Sequence, residues 1–515
     1  MLPYFYEGVF EAPVDFENPP RDAKVIVELT SPSGRVYTIP AFWDGGRIWR
    51  FRYSPEEVGV WQYRIRPSHG QPKEWLGAEG DFAVRPYAGP NPLYRHGPVG
   101  VSPDGPYLAH RDGTPFFWLA DTAWNGVLKA DPADWERYLE VRREQGFTVT
   151  QVVMTDWRAF FADREGERAY EGRQGIRINP RFFRRLDRKV EAVARSGLLP
   201  CLVVLWALTG RDPGNHLPEE DAVLLGRYIV SRYAGYRCAW FLGGDGRYED
   251  VERWRRIGRA VFAEFSERGL ATVHPCGSNW TGDAFGDEPW CDFIGYQSSH
   301  GPDERAFDWI VHGPPAREWR KRPGLPVINL EPCYEAHVQG GTSRRFTPHD
   351  VRIALYLSLL VSPTAGVSYG HNGIWPWSEH EESPLTHRHT GVAPPWHEAL
   401  TSEGAYAVTC LRRFFDGVAW WRLRPAPELV AEQPGGGEGR RWVAASCAED
   451  GGEAVIYIPY GGEVALETAR LAGAAAFWYN PRTGERRPAE APSGGRQLYR
   501  TPDEEDWVLH FKASS

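Results

Sequence analysis

From about residue 100 to residue 400, short apolar runs alternate with stretches of helical periodicity, and this alternation constrains the fold more than any other feature. The runs lie at about 115–119, 147–154, 199–205, 239–244, 271–274, 293–297, 326–330 and 365–369. Helical patterns separate most of them, near 132–145, 180–196, 219–233, 251–268, 303–311 and 348–361. Strands buried on both faces read as continuous apolar runs, whereas half-exposed strands alternate. Eight such strands with intervening helices over about 300 residues predict a (β/α)8 TIM barrel of the α/β class.

The flanks have a different grammar. Runs at 23–29, 36–39, 48–53, 59–65 and 80–84 are short, β-branched or aromatic, and separated by turn residues such as Ser31-Pro32-Ser33-Gly34. They predict an N-terminal β-sandwich over residues 1–87. Four prolines between 86 and 98 mark a linker over 88–99, and the barrel is expected over 100–412. After that, runs at 441–446, 453–459, 475–479 and 506–511 alternate with glycine-rich turns, so 413–515 reads as a second β-sandwich. Gly435-Gly436-Gly437 reads as a flexible hairpin tip.

Composition excludes several classes of partner. A net charge of −9 with no Lys/Arg block speaks against nucleic acid. No apolar run approaches the ~20 residues of a membrane span. The start, Met1 to Glu7, lacks the basic and apolar regions of a signal peptide, so the chain as given reads as cytoplasmic, or as secreted if a leader was removed. Seven scattered cysteines with no Cys-x-x-Cys pair read as reduced structural thiols, and neither a metal nor a cofactor is expected. The His380, His387 and His389 loop lacks the regular spacing of a metal site and reads as a polar rim. Oligomeric state has no signature in the sequence.

Chemistry concentrates where strands end. Asp245 follows the run 239–244 and Glu331 follows 326–330, which places both at the C-terminal mouth of a barrel. Two carboxyls facing one another across such a mouth suit glycosidic cleavage, with Asp245 as acid/base and Glu331 as nucleophile. Either residue alone reads equally well as a helix cap or an ion-pair partner, and Glu335 and Asp283 are rivals. Gly243-Gly244 is expected to let the backbone turn sharply at Asp245. The chain has 23 tryptophans, and Trp124, Trp157, Trp206, Trp280, Trp375 and Trp377 follow strand ends, where indole faces can stack on sugar rings. About half are expected to pack in the core instead, as Trp118 and Trp240 should. Asp121 and Asp156 are candidates to grip sugar hydroxyls. His274, Gln297, His300, Tyr334 and His371 are candidates to bind substrate or to orient Glu331. Cys333 lies near Glu331, but no partner histidine identifies it as a nucleophile.

Four stretches resemble a known family when taken together. Phe117-Trp118-Leu119-Ala120-Asp121-Thr122-Ala123-Trp124, Trp240-Phe241-Leu242-Gly243-Gly244-Asp245, Leu330-Glu331-Pro332-Cys333-Tyr334-Glu335 and Gly366-Val367-Ser368-Tyr369-Gly370 are similar to the barrel of a group of bacterial glycoside hydrolases that includes the apiosidases. Apiosidases remove β-linked apiose from plant polysaccharides and glycosides. The flanking sandwiches resemble the domain that commonly precedes such barrels and one labelled collagen-binding. The resemblance implies a retaining, exo-acting hydrolase with Asp245 as acid/base and Glu331 as nucleophile. One departure stands out: the wider superfamily of retaining barrels carries Asn-Glu at the end of strand four, and this chain carries Gly244-Asp245. The alternatives are a carbohydrate-binding protein on an inactive barrel, a hydrolase of another β-linked furanoside or pyranoside, and, more remotely, a lyase, a transglycosylase or a metal-dependent hydrolase.

Overall fold

The computed structural model describes residues 5–67 and 78–513, so the residues Met1 to Tyr4 of the opening segment lie outside it. Eight parallel strands form one sheet: β1 (Trp118–Thr122), β2 (Val149–Val153), β3 (Leu199–Trp206), β4 (Ala239–Gly244), β5 (Ala271–Thr272), β6 (Ile294–Gln297), β7 (Val327–Glu331) and β8 (Gly366–Tyr369). Their order is β5-β4-β3-β2-β1-β8-β7-β6, so the sheet curls around until β5 and β6 face each other. The Thr272 side chain bridges that seam, donating to the Phe293 carbonyl (2.6 Å) and accepting from the Gly295 N–H (3.3 Å). Every residue of β3 is buried, which explains its uninterrupted apolar sequence.

The helices follow local signals. They are α1 (Pro132–Glu144), α2 (Pro180–Ser196), α3 (Glu219–Tyr233), α4 (Val251–Phe262), α5 (Asp303–His312), α6 (Pro348–Leu360) and α7 (Glu403–Asp416). Asn179 caps α2 through the Arg181 N–H, Pro180 occupies the first turn, and Gly197 ends the helix at φ 89°. Thr347 and Asp350 form a reciprocal capping box at the start of α6. From Asp350 to Leu360 every residue of α6 is buried, because the C-terminal sandwich covers the face that would otherwise meet water.

The N-terminal strands form a three-stranded and a four-stranded antiparallel sheet around Val27, Leu29 and Trp61. The first of them, Tyr6–Glu11, escaped the sequence reading; it pairs with Ile48–Tyr53. A buried network fastens this sandwich to the helix layer: Arg52 and Arg232 both hold Asp187, and Arg232 also reaches Asp44. Burial alone would raise the Asp187 carboxyl, but the two guanidinium groups hold it at about 2. The Pro92–Arg95 helix of the segment joining sandwich and barrel buries Leu93 and Tyr94 in the barrel core.

The C-terminal sandwich has a six-stranded and a two-stranded sheet. It grips α6 through the Arg352–Asp506 pair (2.8 Å) and the stacked rings of Tyr356 and Tyr457. Gly435-Gly436-Gly437 lies at the far end of the long connection between the antiparallel strands Leu423–Pro425 and Ala444–Ala448. It leads into a short 3-10 turn against α5, where His312 Nε2 meets the Gly437 carbonyl (2.7 Å) and the Gly439 N–H donates to Asp308. No helix among the described residues is long and apolar enough to cross a membrane.

Candidate active site

Glu331 ends β7, and its direction depends on an irregularity. Tyr296 of β6 stands opposite Asn329, and Gln297 stands opposite Glu331, so Leu330 is one residue too many for an even register. Strict alternation would send Glu331 the way of Asn329, whose amide donates to Ser358 of α6. The extra residue turns Glu331 toward the mouth instead. There Gln297 Nε2 (2.7 Å) and His300 Nε2 (2.8 Å) meet Oε1, and His274 Nε2 lies 3.3 Å from Oε2.

The tautomers are fixed from behind. His300 Nδ1 accepts the Tyr334 N–H (3.3 Å) and His274 Nδ1 accepts the Asp245 N–H (3.3 Å), which leaves each Nε2 protonated and facing Glu331. His300 makes the hydrogen bond, whereas His274 Nε2 lies near Oε2 without hydrogen-bond geometry. Asn329 Oδ1 accepts the Glu331 N–H (3.3 Å). Burial would raise the Glu331 carboxyl, but the imidazoles of His274 and His300 hold it well below the usual carboxylate range.

Asp245 follows β4 and has the opposite environment. Burial first, and the negative charge of Glu331 second, push its carboxyl well above the usual range, against the opposing pull of Arg158. Its side chain remains 15% exposed, and its carboxyl accepts a hydrogen bond from Arg158 Nη2 (3.4 Å). The turn is made by Asp245 itself, at φ 53°, rather than by the glycines before it. Those glycines answer a packing demand: a Cβ on Gly244 would fall 2.6 Å from the Trp206 ring, and one on Gly243 would fall 2.7 Å from the Tyr248 hydroxyl.

Aromatic rings wall the mouth. Trp206 sits 4.2 Å from Trp157 and 5.5 Å from Trp124, between ring centres, and Trp124 is 5.3 Å from His274. Trp124 Nε1 donates to the Tyr334 hydroxyl (3.1 Å), whose own proton is held tightly by burial and by the nearby charge of Glu331. Trp375 and His387 extend the wall from Trp157. The Trp206 indole N–H is buried with no partner, as is Gln297 Oε1. Unsatisfied groups of this kind are what a hydroxyl-rich ligand can satisfy.

Other expectations fall differently. Asp121 does not reach the rim: it is wholly buried toward α1, where the Tyr138 hydroxyl and Arg142 Nε each lie 2.7 Å from Oδ2. In β1 it lies on the side opposite Ala120 and Thr122, so it faces helices rather than the barrel axis. Asp156 anchors its own loop, accepting from Arg168 and from the Ala169 N–H. His371 is buried and pushed down to about 3 by burial, and its Nδ1 accepts the Gly373 N–H. Glu335 is taken by Tyr369, Ser402 and the Gly404 N–H, and Asp283 lies in surface ion pairs with Lys321 and Arg322. Cys333 is buried beneath the strand end and meets the Asp350 carbonyl. Trp377 packs among Trp135, Tyr138 and Trp396, while Trp280 packs near Tyr296 outside the barrel.

The histidine loop divides: His380 is exposed, whereas His387 is buried in the aromatic wall and pushed down to about 4, by burial and then by Arg158. Among the described residues no group of three or more His, Cys, Asp or Glu is arranged to hold a metal. The residues missed from sequence are Arg158, Asn329 and His337, the last stacked on His300 at 4.2 Å. Arg158 directly follows the selected pair Asp156-Trp157, and Asn329 is the polar residue inside an apolar run, so each had a faint signal.

Comparison with known proteins agrees with the barrel fold. Residues 102–422 match the family described as "Apiosidase-like, catalytic domain". Residues 5–68 match a domain of unknown function, DUF5060, and residues 425–512 match the "Putative collagen-binding domain of a collagenase". Among solved structures, a glycoside hydrolase family 5 protein from Bacteroides vulgatus ATCC 8482 is 23% identical at a TM-score of 0.72, covering 82% of this chain and 94% of that one. Another, described as a glycoside hydrolase, is 24% identical at a TM-score of 0.73, covering 82% and 98%. A third, a "putative glycoside hydrolase" of the same Bacteroides strain, is 18% identical at a TM-score of 0.70 and covers 99% and 98%. At these identities the structures establish the shared barrel fold. No curated protein matches the chain.

Proposed function

The chain belongs to the apiosidase-like family, and from that premise we propose that this glycosidase is a retaining, exo-acting enzyme that releases a β-linked, apiose-like sugar from plant glycosides or polysaccharides. One feature supports the mechanism: the surroundings of the two mouth carboxyls push them in opposite directions, Glu331 toward the ionised form and Asp245 toward the protonated one. This is the division of labour that acid-assisted glycoside cleavage requires, whichever the configuration of the product.

Glu331 attacks the anomeric carbon as the glycosidic C–O bond breaks, and the Asp245 proton passes to the leaving oxygen. The leaving group departs as a neutral alcohol, with Glu331 esterified and Asp245 ionised. Asp245 then takes a proton from water as the water oxygen attacks the same carbon. The ester breaks and Glu331 is a carboxylate again. Between these steps the aromatic wall of Trp124, Trp157, Trp206 and Trp375 offers faces for the C–H side of the sugar. The choice of sugar, the exo action and the double displacement rest on the family alone.

The test is a screen of the purified protein against aryl β-glycosides and apiose-containing plant glycosides, with Glu331→Ala as control. Proton NMR would follow the anomeric configuration of the first product. We expect release of one sugar with retained configuration, lost in the variant. An inverted first product removes the double displacement. Release that persists in Glu331→Ala removes the nucleophile, and release of a different β-linked sugar replaces the apiose reading. No release from any member of the panel counts against hydrolysis of β-glycosides.

A further inference from the structure

During the proposed cycle the negative charge of the site moves from Glu331 to Asp245 and back. Glu331 has its holders in Gln297 and His300, with His274 Nε2 3.3 Å away. The question is what holds the charge when it sits on Asp245. Arg158 is placed for that: its Nη2 is 3.4 Å from Asp245 Oδ2, and its Nε is 3.8 Å from Asp212 Oδ2. The guanidinium thus stands between carboxylates that follow β3 and β4. It is 14% exposed, and Nε has no hydrogen-bond acceptor. Asp212 is fully buried, and its Oδ2 already accepts from the Thr209 N–H and hydroxyl.

The Arg158 backbone is pinned on both sides, the N–H donating to Asp212 Oδ1 (3.3 Å) and the carbonyl accepting from the Thr386 hydroxyl (2.9 Å). The side chain is therefore aimed, with spare donor capacity, at the general acid.

We infer that Arg158 is a positioning residue that carries the counter-charge of Asp245 during the half of the cycle in which Asp245 is ionised. The inference rests on the two-carboxylate reading above. Several other groups face Asp245: Glu331 from β7, Asp212 after β3, Arg247, Tyr248 and Cys276 near the β4 turn, and the His274 ring. Arg158 is the cation among them that makes a hydrogen bond to the Asp245 carboxyl. With the acid protonated, this contact is long. Once the proton has gone to the leaving oxygen, the pair is ionic and should shorten.

The sign of the effect is fixed. Arg158 lowers the affinity of Asp245 for its proton. Without it, the acid loses its proton at higher pH, and the alkaline limb of kcat/KM moves up. In the glycosyl-enzyme the same change leaves Asp245 protonated when it must act as a base, so hydrolysis of the intermediate slows.

The experiment compares wild type, Arg158→Gln and Arg158→Lys on an aryl β-glycoside that the wild type cleaves, with pH profiles of kcat and kcat/KM and a thermal melt of each protein. In Arg158→Gln we expect the alkaline limb of kcat/KM to rise by about one unit and kcat at neutral pH to fall about tenfold. Arg158→Lys should recover most of both changes. Limbs that stay in place in a folded Arg158→Gln protein overturn the inference, as does a Lys variant no different from Gln. A wild type that cleaves no glycoside removes the underlying reading. An active wild type with unmoved limbs removes only the role of Arg158.

Discussion

The ends of β4 and β7 present the same functional group to the same mouth, in surroundings that differ in almost every respect. At β7 the carboxylate meets two nitrogen donors, one from an amide and one from an imidazole, and a second imidazole lies 3.3 Å from its other oxygen. At β4 the carboxyl meets one guanidinium at the edge of hydrogen-bond range, and it faces the charge of its counterpart. Burial acts on both in the same direction, so it does not distinguish them. What distinguishes them is the supply of donors, and in the proposed cycle that supply is what assigns attack to Glu331 and protonation to Asp245. His274 ties the two sides together: one ring nitrogen takes the Asp245 N–H while the other faces Glu331.

The most severe way to break this contrast is to remove its ionised member. Glu331→Gln keeps the size of the side chain, deletes the nucleophile and takes away the charge that raises Asp245. We expect turnover to fall by about 10⁴-fold or more, measured by steady-state hydrolysis of the best substrate from the screen. Residual activity within about tenfold of wild type would mean that the chemistry does not pass through this residue. Next in size is Asp245→Asn. Its first step should lose about 10²- to 10⁴-fold with an alkyl leaving group and far less with a nitrophenyl one, which departs without a proton. Equal losses on the two substrates would remove the acid role.

How far each side of the contrast could be read in the sequence follows from what fixes it. Chain order was enough to place Asp245 and Glu331 at strand ends, since the apolar runs of a fully buried parallel sheet are hard to mistake. The barrel was legible for the same reason. The direction of a side chain within a strand was not. Asp121 looked like a rim residue because it ends a strand, yet it faces α1 and pairs with Arg142. Glu331 reaches the mouth only because Leu330 interrupts the register, and nothing in the letters 326–331 announces that. Gln297, His300 and His274 could be named as polar groups near strand ends, but their convergence on one carboxylate is a property of the closed sheet. Arg158 belongs to a loop, and loops carry no periodicity from which to read an aim. The Tyr6–Glu11 strand was missed because it lies next to a proline-rich stretch and finds its partner some 40 residues away.

The contrast can be sharpened by weakening one donor at a time. His300→Asn removes an imidazole donor from Oε1 while leaving Gln297 in place. Glu331 is depressed in the intact protein, so losing a donor lets its pKa rise toward the ordinary value. Glu331 must be ionised to attack, and the acid limb of kcat/KM should therefore move to higher pH. The loss at neutral pH should stay within about tenfold, because the remaining donors still favour the carboxylate. A pH profile with an unmoved acid limb would show that His300 does not set the charge of Glu331.

The smallest effect concerns the wall between the two carboxyls. Trp206→Phe keeps an aromatic face against Trp157 and removes the buried indole N–H that has no partner in the protein. If that donor serves a substrate hydroxyl in the ground state, KM should rise by about five- to tenfold while kcat changes little, the size of one hydrogen bond. The empty protein should not lose stability by deletion of an unsatisfied group, and the melting temperature provides that control. A fall in kcat at constant KM would instead assign the N–H to the transition state. It would then belong with Asp245 and Glu331 in the chemistry rather than with the rings that only hold the sugar.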